Sequence, residues 1–164
     1  MAQQKHDKTN EAMEEFESPV EMLEADHRKV QALFDQFENA GDAMTKAKRQ
    51  IIEDVFAALE LHTQLEEEIF YPAVKAAGEK EGKKLVAESV EEHQVVKTLI
   101  ADMRSLDPND ERYAAKFTVL IESVRHHIEE EESEMFPLVE DELADDMESL
   151  LEQMVERKHA LQAS

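Results

Sequence analysis

Six side chains in this sequence have the types and the spacing that bind metal ions. Each half of the chain supplies one histidine and, further on, a His-x-x-x-Glu pair, and the six residues are His27, His62, Glu66, His93, His127 and Glu131. On a helix, residues four apart lie on one face, with Cβ atoms about 5–6 Å apart. The histidine and the glutamate of each pair can therefore reach the same ion, which predicts a site built from imidazole nitrogens and carboxylate oxygens.

The same six residues lie in phase with apolar neighbours, so we expect them to face the protein core. Two ionised glutamates in a core would be costly, because a buried charge must be paired or bound to metal. Two divalent or trivalent cations remove that cost, and each glutamate has two oxygens and can bridge both ions. Coordination stays incomplete, which leaves positions for water, oxide, O2 or peroxide. The pattern does not choose the metal, because the affinity order disfavours iron and manganese against copper and zinc.

The metal-binding pattern is part of an internal repeat. The offset between the halves is 66 residues around the first histidine and 65 around the His-x-x-x-Glu pair, and the matched segments are Asp26-His27 with Glu92-His93, and 62–72 with 127–137. A period of this length suits a helix hairpin used twice and packed about a pseudo-two-fold axis. What repeats best is the set of metal-binding residues and the core residues beside them.

A competing His-x-x-x-Glu frame lies one residue earlier in the second half, at His126 and Glu130. The distance to Pro137 favours the later frame, since His127 and Glu131 stand ten and six residues before that proline. The His-x-x-x-Glu pair of the first half stands at the same distances before its own proline. We therefore predict that the later frame faces the metal ions.

Five helices are predicted to position these side chains, because apolar residues recur at steps of three and four. Ser18-Pro19-Val20-Glu21 has the pattern of a capping box that opens the first helix. Gly41, Gly78 and the turn at 107–110 separate later segments. The predicted helices cover about 18–41, 45–78 and 80–106, then a stretch from that turn to about 140, and finally about 145–159.

Three details of these helices are further expectations. Tyr71-Pro72 should kink the second helix or mark its last turns, because proline lacks a backbone N–H. Ile69 is expected on the inward stripe of the second helix, and Val90 on that of the third. The last helix is expected to place Met147 and its apolar neighbours on one side.

The fold class is all-α, and the short connections favour an up-down-up-down antiparallel four-helix bundle with an additional C-terminal helix. The predicted division is a flexible N-terminal arm at 1–17, the bundle at 18–140, and a C-terminal amphipathic helix and tail at 141–164. His6 in the arm and His159 in the last helix are interpreted as surface residues.

Composition excludes several classes of function. The 40 acidic and 18 basic residues give a formal net charge of −22, which repels nucleic acid and anionic membranes. Cysteine is absent, so disulfides and thiolate metal sites are excluded. No apolar run approaches the roughly 20 residues that span a bilayer, and residues 1–17 lack the features of a secretory signal. We expect a cytoplasmic monomer or weak homo-oligomer with no nucleic-acid or membrane partner.

The sequence resembles the hemerythrin-like, HHE cation-binding family over about 18–140. The residues that carry the resemblance are Asp26-His27, 62–67 with Tyr71-Pro72, Glu92-His93, and 127–132 with Phe136-Pro137. This motif is specific because it needs four separate helices at the right phase. The resemblance implies an up-down bundle around an oxygen-bridged pair of iron ions, with the four histidines as terminal ligands and Glu66 and Glu131 as bridges.

Two features depart from the oxygen-carrying members of that family. Those carriers place a further histidine one turn after the first histidine of the third helix, where this sequence has Lys97. They also use an aspartate five residues after the last histidine, whereas Glu131 stands four after His127. The resemblance therefore implies the variant with four histidines and two glutamates, found among iron or oxygen sensors and peroxide-handling bacterial proteins. One ligand fewer favours redox chemistry with small molecules.

Two other residues are candidates for a role beside the metal ions. Lys97 either reaches solvent or acts as a donor next to the open coordination positions. Tyr71 is either a packed aromatic beside the proline or a group that hydrogen-bonds a bound oxygen species or makes an outer-sphere redox contact. No residue is firmly assigned as catalytic.

The leading hypothesis is a non-haem di-iron protein that binds or reacts with O2, peroxide or nitric oxide, with peroxide breakdown or sensing favoured over oxygen carriage. Other divalent metals remain open, and an enzymatic reaction would be catalase-like or peroxidase-like. The alternatives are an iron- or oxygen-responsive binding module, storage of iron or oxygen without catalysis, and a metal-independent interaction bundle.

Overall fold

The helices of this chain begin and end at the residues that favour helix termini. The structure is a computed structural model that describes residues 15–164, a range that contains helices and turns but no β-strand. Its helices are α1 (Pro19–Glu38), α2 (Lys46–Leu65), α3 (Tyr71–Ala77), α4 (Lys80–Arg104), α5 (Glu111–Glu130), α6 (Phe136–Glu142) and α7 (Met147–Gln162). Their ends lie within a few residues of the predicted ones.

Side-chain caps close the N-terminal ends of α1, α2 and α5. Ser18 Oγ accepts a hydrogen bond from the backbone N–H of Glu21 at 3.1 Å, and Glu21 Oε2 accepts one from the backbone N–H of Glu17 at 2.9 Å. Thr45 caps α2 in the same way. These bonds satisfy N–H groups that have no partner within the helix. The predicted start at Ser18-Pro19 is thus confirmed.

Two π turns lie at matched places, one between α2 and α3 and the other between α5 and α6. They cover Glu66–Phe70 and Glu131–Met135, and each begins at a predicted ligand glutamate and ends just before an aromatic-proline pair. Pro72 and its counterpart have no N–H to donate to the preceding turn, so the helix widens by one residue there. The backbone N–H of Tyr71 accordingly donates to Glu66 O, five residues back.

The π turns correct one sequence expectation, and helix phase corrects another. The extra residue turns Phe70 into the core and leaves Ile69 only partly buried, so the prediction for Ile69 was wrong. Val90 is 39% exposed, because the buried face of α4 passes through Ser89, which is 6% exposed. Neighbouring residues on a helix point about 100° apart, so Val90 lies at the rim of that face.

The predicted up-down-up-down antiparallel four-helix bundle is confirmed. α1 packs on α2 and α4 packs on α5, while α7 lies against α1, α2 and the first π turn. The apolar side of α7 joins the core of the bundle through Leu150, Leu151, Met154 and Val155; Met147 packs against that core and is partly buried. Among the described residues, no helix is long and apolar enough to cross a membrane.

The core consists of two apolar clusters, and the predicted ligands lie where these clusters meet. On α1, Leu23 belongs to one cluster and Val30 to the other, with His27 between them. On α2, Leu59 and Leu65 flank His62 in the same manner. The four histidines therefore form a polar layer across an otherwise apolar bundle. His6 and most of the predicted N-terminal arm lie outside the described residues.

Candidate metal centre

The structure brings all six predicted ligand residues together. Each is almost fully buried, and their ligand atoms form two groups that share one residue: His27, His62, Glu66 and Glu131 in one, and Glu66, His93 and His127 in the other. Within each group these atoms lie within 4.8 Å of one another. We name the two groups the His27–His62 pocket and the His93–His127 pocket.

The two pockets have matched geometry, as the sequence repeat suggests. The imidazole centroids are 4.9 Å apart in the His27–His62 pocket and 4.8 Å apart in the His93–His127 pocket, with interplanar angles of 62° and 63°. In the second pocket the two Nε2 atoms lie 3.2 Å apart. The Nε2 atoms are thus the imidazole atoms that face the space between the helices.

Two carboxylates lie between the pockets. Glu131 Oε1 is 3.2 Å from His27 Nε2, and Glu131 Oε2 is 3.2 Å from His127 Nε2. Glu66 Oε1 contacts His62 Nε2. Glu131 therefore offers one oxygen to each pocket, which is the arrangement of a bridging ligand.

Several of these buried atoms have no hydrogen-bond partner. They are His27 Nε2, His62 Nε2, both oxygens of Glu66, and Glu131 Oε1. His27 Nε2 and Glu131 Oε1 are close enough for a hydrogen bond, but their angles do not make one. Unsatisfied acceptors on buried carboxylates are costly and call for a cation. The donor set of imidazole and carboxylate suits iron, zinc, manganese or copper, so these residues fit the metal pair that the sequence predicts.

A second layer of carboxylates holds the outer nitrogen of every imidazole. The Nδ1 atoms lie 3.3 Å from Glu132 Oε1 for His27, 3.0 Å from Asp26 Oδ2 for His62, 2.9 Å from Glu67 Oε1 for His93, and 3.3 Å from Glu92 Oε1 for His127. A carboxylate accepts and does not donate, so Nδ1 carries a proton in each imidazole, and Nε2 is the nitrogen left to bind metal once it is deprotonated.

Sequence reasoning missed the role of these four carboxylates, although the signal was present. Asp26 and Glu92 each precede the first histidine of their half, and Glu67 and Glu132 each follow the ligand glutamate. All four therefore repeat at the offsets of the ligands themselves. Their partners could not be assigned from the sequence, because two of the four bonds join one half of the chain to the other.

The carboxylates also set the charge of the imidazoles. Burial lowers the pKa of His62, but the negative charges of Glu66 and Asp26 outweigh it and raise that pKa to about 10. The pKa of His127 is also raised, well above its usual value, because hydrogen bonds to Glu131 and Glu92 outweigh burial. Burial lowers the pKa of His93 below its usual value.

Tyr71 makes the two pockets unequal. It is buried, and its hydroxyl donates to Glu131 Oε2 at 2.7 Å and lies 3.1 Å from His93 Nε2. Burial and the charges of Glu66 and Glu131 raise its pKa well above the usual value, so the hydroxyl keeps its proton. In the other half Phe136 takes the matching position and stacks on His27 at a centroid distance of 5.7 Å. Of the two aromatic residues at these matched positions, Tyr71 alone carries a hydroxyl, and it lies beside the His93–His127 pocket.

Lys97 lies at the surface next to the outer carboxylates. Its side chain is 43% exposed, and its Nζ donates to Glu67 Oε1 at 2.8 Å and to Oε2 at 2.7 Å. Glu67 in turn holds His93 Nδ1. Lys97 thus reaches solvent and also supports one of the outer carboxylates.

The alternative frame points away from the pockets. The side chain of His126 is 64% exposed and pairs with Glu130 at 3.0 Å, whereas that of His127 is 8% exposed. With Glu92 these two residues form a loose group at the surface. His159 is partly buried on the last helix, away from the six clustered residues.

A small cavity lies next to the imidazoles on the side opposite Tyr71. Its volume is about 20 Å³, and apart from the four histidines and Asp26 its walls are Val30, Leu59, Thr63, Val96, Val124 and Ile128. A water molecule needs about 10–15 Å³ measured in this way. The cavity therefore admits a water-sized or diatomic molecule and excludes larger ones.

Comparison with known proteins gives one family for this chain. The model of the hemerythrin HHE cation-binding domain matches residues 18–139. An uncharacterised hemerythrin-like protein of Schizosaccharomyces pombe is 30% identical over 121 residues, which are 74% of this chain and 59% of that protein. A protein of Nostoc sp. named DNA nickase is 25% identical over 125 residues, which are 76% of this chain and 34% of that protein. The chain thus spans about a third to three-fifths of the length of these relatives.

A solved structure shares the fold. The crystal structure of a hemerythrin HHE cation-binding domain-containing protein from Mycobacterium kansasii superposes with a TM-score of 0.73 at 21% sequence identity. The match covers 87% of this chain and 86% of that chain. At this identity the likeness supports the fold alone.

Proposed function

This chain belongs to the hemerythrin HHE cation-binding domain family, and we propose that it is a non-haem di-iron protein that binds and reacts with O2, peroxide or nitric oxide. Within that range, peroxide breakdown or sensing fits better than reversible oxygen carriage, because Lys97 stands where the carriers have a further histidine. Membership of this family implies that the chain binds cations. That the cations are two iron ions, and that the ligands are these small molecules, is our proposal.

The observation that carries the proposal is the set of buried acceptors without partners. Glu66 is fully buried, and neither of its oxygens has a hydrogen bond. Glu131 Oε1 is in the same condition, and His27 Nε2 lies 3.2 Å from it, while His62 Nε2 contacts Glu66. Metal ions bound between these groups would satisfy them, because a buried charge is costly unless it is paired or coordinates a metal.

The residues of each pocket would hold one iron ion. Four imidazole Nε2 atoms would be terminal ligands, and the carboxylates of Glu66 and Glu131 would bridge the two ions. When bound, the iron pair would exchange electrons with small oxygen or nitrogen species. The outer carboxylates keep each Nδ1 protonated and each imidazole in one orientation, which prepares the lone pairs for metal without reorganisation.

Tyr71 is the residue that can hold a proton beside the His93–His127 pocket. Its hydroxyl group donates a hydrogen bond to Glu131 Oε2, and the hydroxyl oxygen lies 3.1 Å from His93 Nε2. The side chain thus can give a hydrogen bond to an oxygen species in that pocket. The apolar wall of the cavity excludes bulk water and limits the ligand to a small molecule.

Metal analysis with an absorption spectrum, before and after addition of peroxide, tests the proposal. We expect about two iron ions per chain after purification from iron-replete medium, and near-ultraviolet absorption that changes with peroxide. Rapid evolution of O2 from peroxide would select breakdown, and a spectral change without O2 evolution would select sensing. Colourless, metal-free and fully folded protein would refute the proposal and favour a metal-independent interaction bundle.

A second candidate function is a metal-dependent switch, and contacts of α7 favour it. Lys158 Nζ lies 3.2 Å from Asp26 Oδ1, and Asp26 holds His62 through its other oxygen. Arg157 makes a two-point contact with Glu68, at 2.6 and 3.3 Å, in the first π turn. The C-terminal helix, which lies beyond the matched family domain, therefore contacts the outer layer of the site directly.

In this view residues 18–140 form the metal-binding unit and 141–164 an accessory segment whose docking responds to occupancy. Limited proteolysis with and without iron tests this. We expect the rate of cleavage within the last twenty residues to change when iron is removed. Lys116→Met is a control, because it breaks a surface ion pair with Asp102 that has the same 3.2 Å length as the Lys158–Asp26 contact, and it should leave the cleavage rate unchanged. Equal cleavage with and without iron would exclude the switch.

A further inference from the structure

A surface groove runs outside the cavity of the metal centre, between α2 and α4. The groove has a volume of about 470 Å³ and is open to solvent, and its lining includes Glu67, Lys97 and Ile100. Three residues line both the groove and the cavity, namely Leu59, Thr63 and Val96. These three side chains, which we call the shared wall, thus lie between the cavity and the groove.

Resting on the proposed function, we propose that the shared wall is the entry gate through which small molecules reach the metal centre. The gate lies in the α2–α4 seam, and it admits neutral diatomic or water-sized ligands when Thr63 and Val96 move aside. The apolar walls contributed by Val30, Val124 and Ile128 stay closed.

The burial of the shared wall supports this assignment. Leu59, Thr63 and Val96 are 5%, 7% and 5% exposed, so each reaches the groove with a small part of its surface. Thr63 is the smallest of them, and its hydroxyl is directed to Glu60 O at 3.3 Å. The barrier is therefore one side chain thick, and a rotation of β-branched side chains is enough to open it.

The ion pair of Lys97 with Glu67 lies along the same groove. It joins α4 to the first π turn with two short bonds, and Glu67 also holds His93. This contact ties the two sides of the seam together next to the shared wall. We assign to Lys97 the role of holding the seam closed at rest through this ion pair, which neutralises the charge of Glu67 beside the gate.

Two valines give a matched test. Val96 and Val124 both line the cavity, at 5% and 4% exposed, but only Val96 borders the groove. Association and dissociation rates of nitric oxide are measured by stopped-flow absorbance on the reduced, iron-loaded protein. We expect Val96→Ala to raise both rates by about two- to tenfold, the range that relief of one strained side-chain rotamer produces. Val124→Ala enlarges the cavity without thinning the shared wall, so it should accelerate association much less than Val96→Ala does.

A gate has a kinetic signature that a pocket wall lacks. Because Val96→Ala lowers a barrier, both rates rise by the same factor and the equilibrium dissociation constant stays constant. Thr63→Ala should reproduce the effect, and Thr63→Val, which keeps the size and removes the hydroxyl, should not. Equal acceleration in Val96→Ala and Val124→Ala, or no acceleration in Val96→Ala and Thr63→Ala, would overturn the gate.

The gate can also be tested apart from the proposed function, on metal-free protein. Dissolved O2 is paramagnetic and broadens methyl resonances that it approaches. Where the rate of O2 entry, and not its occupancy, limits this broadening, Val96→Ala should increase the broadening of cavity methyl groups, such as those of Ile128, by about twofold or more relative to Val124→Ala. If the protein purified from iron-replete medium carries no iron and the two variants still differ in this way, the di-iron function is refuted and the gate stands. If the purified protein carries iron and Val96→Ala changes neither the nitric oxide rates nor the broadening, the gate is refuted and the di-iron function stands.

Discussion

Replacing Glu131 with glutamine tests the bridging arrangement most directly. The change removes one negative charge from the centre of both pockets, since its two oxygens each lie 3.2 Å from an Nε2 atom, of His27 and of His127. Loss of a group that only orients a metal ligand lowers affinity by about 10–100-fold. Loss of a ligand shared by two ions should exceed about 100-fold, which corresponds to more than about 2.8 kcal/mol.

The assay is metal content after dialysis against a competing chelator at fixed free iron. Wild type should keep its metal pair under conditions where Glu131→Gln retains less than half of it. Glu130→Gln is the matched control, because it makes the same chemical change one residue earlier. The Glu130 side chain is 43% exposed and pairs with His126, so the variant should keep its metal and lose at most about 1 kcal/mol of stability.

Two outcomes would refute the reasoning. If Glu131→Gln keeps its full complement of metal, the carboxylate does not bridge. If Glu130→Gln loses metal to the same degree, the frame of the second His-x-x-x-Glu pair is wrong. Thermal unfolding of both variants without metal serves as the folding control, so that loss of metal is not mistaken for loss of structure.

Four further predictions follow from the site. Binding of metal at pH 7 should release about two protons per chain, because His62 (pKa about 10) and His127 (pKa raised) must lose their Nε2 protons to bind metal. Calorimetry in buffers of different ionisation enthalpy measures the number of protons released, and a value near zero contradicts the prediction. Metal-free protein should lose stability as pH rises from 6.5 towards about 10, because the raised pKa of His62 stabilises the fold only while the imidazole is protonated; melting temperature against pH shows the trend, and a flat profile opposes it. Asp26→Asn should weaken metal binding by about 10–100-fold in a chelator competition, while Asp102→Asn, at the surface, should not. Tyr71→Phe should keep the metal but lower the stability of metal-free protein to denaturant by about 1–3 kcal/mol, the worth of a buried hydrogen bond to a carboxylate; unchanged stability would show that the bond is not formed.

The bundle and the clustering of six side chains could be anticipated because they depend on local spacing. A histidine and a glutamate four apart share a helix face wherever that helix is placed, and apolar residues in phase with them fix which face is inward. The duplication added a check, since the offset to Pro137 separated His127 from His126. These arguments need only the period of a helix.

Other features could not be read from that period. The π turns add a residue that no regular repeat contains, and Phe70 instead of Ile69 enters the core for that reason. Val90 was misplaced because an apolar residue at the rim of a helix face looks the same in sequence as one at its centre. The contact of Lys158 with Asp26 joins residues 132 positions apart, and only the docking of α7 produces it.

The chain order alone determined the inward face of each regular helix, except at its rim, because that face follows from 3.6 residues per turn. The tertiary structure decided which neighbours those residues meet. Glu132 stands behind His27, and Glu67 behind His93, because the two hairpins pack around a shared axis and exchange their outer carboxylates. The cavity and its thin wall on the α2–α4 side arise in the same way, from the distance between packed helices, which the sequence of either helix does not contain.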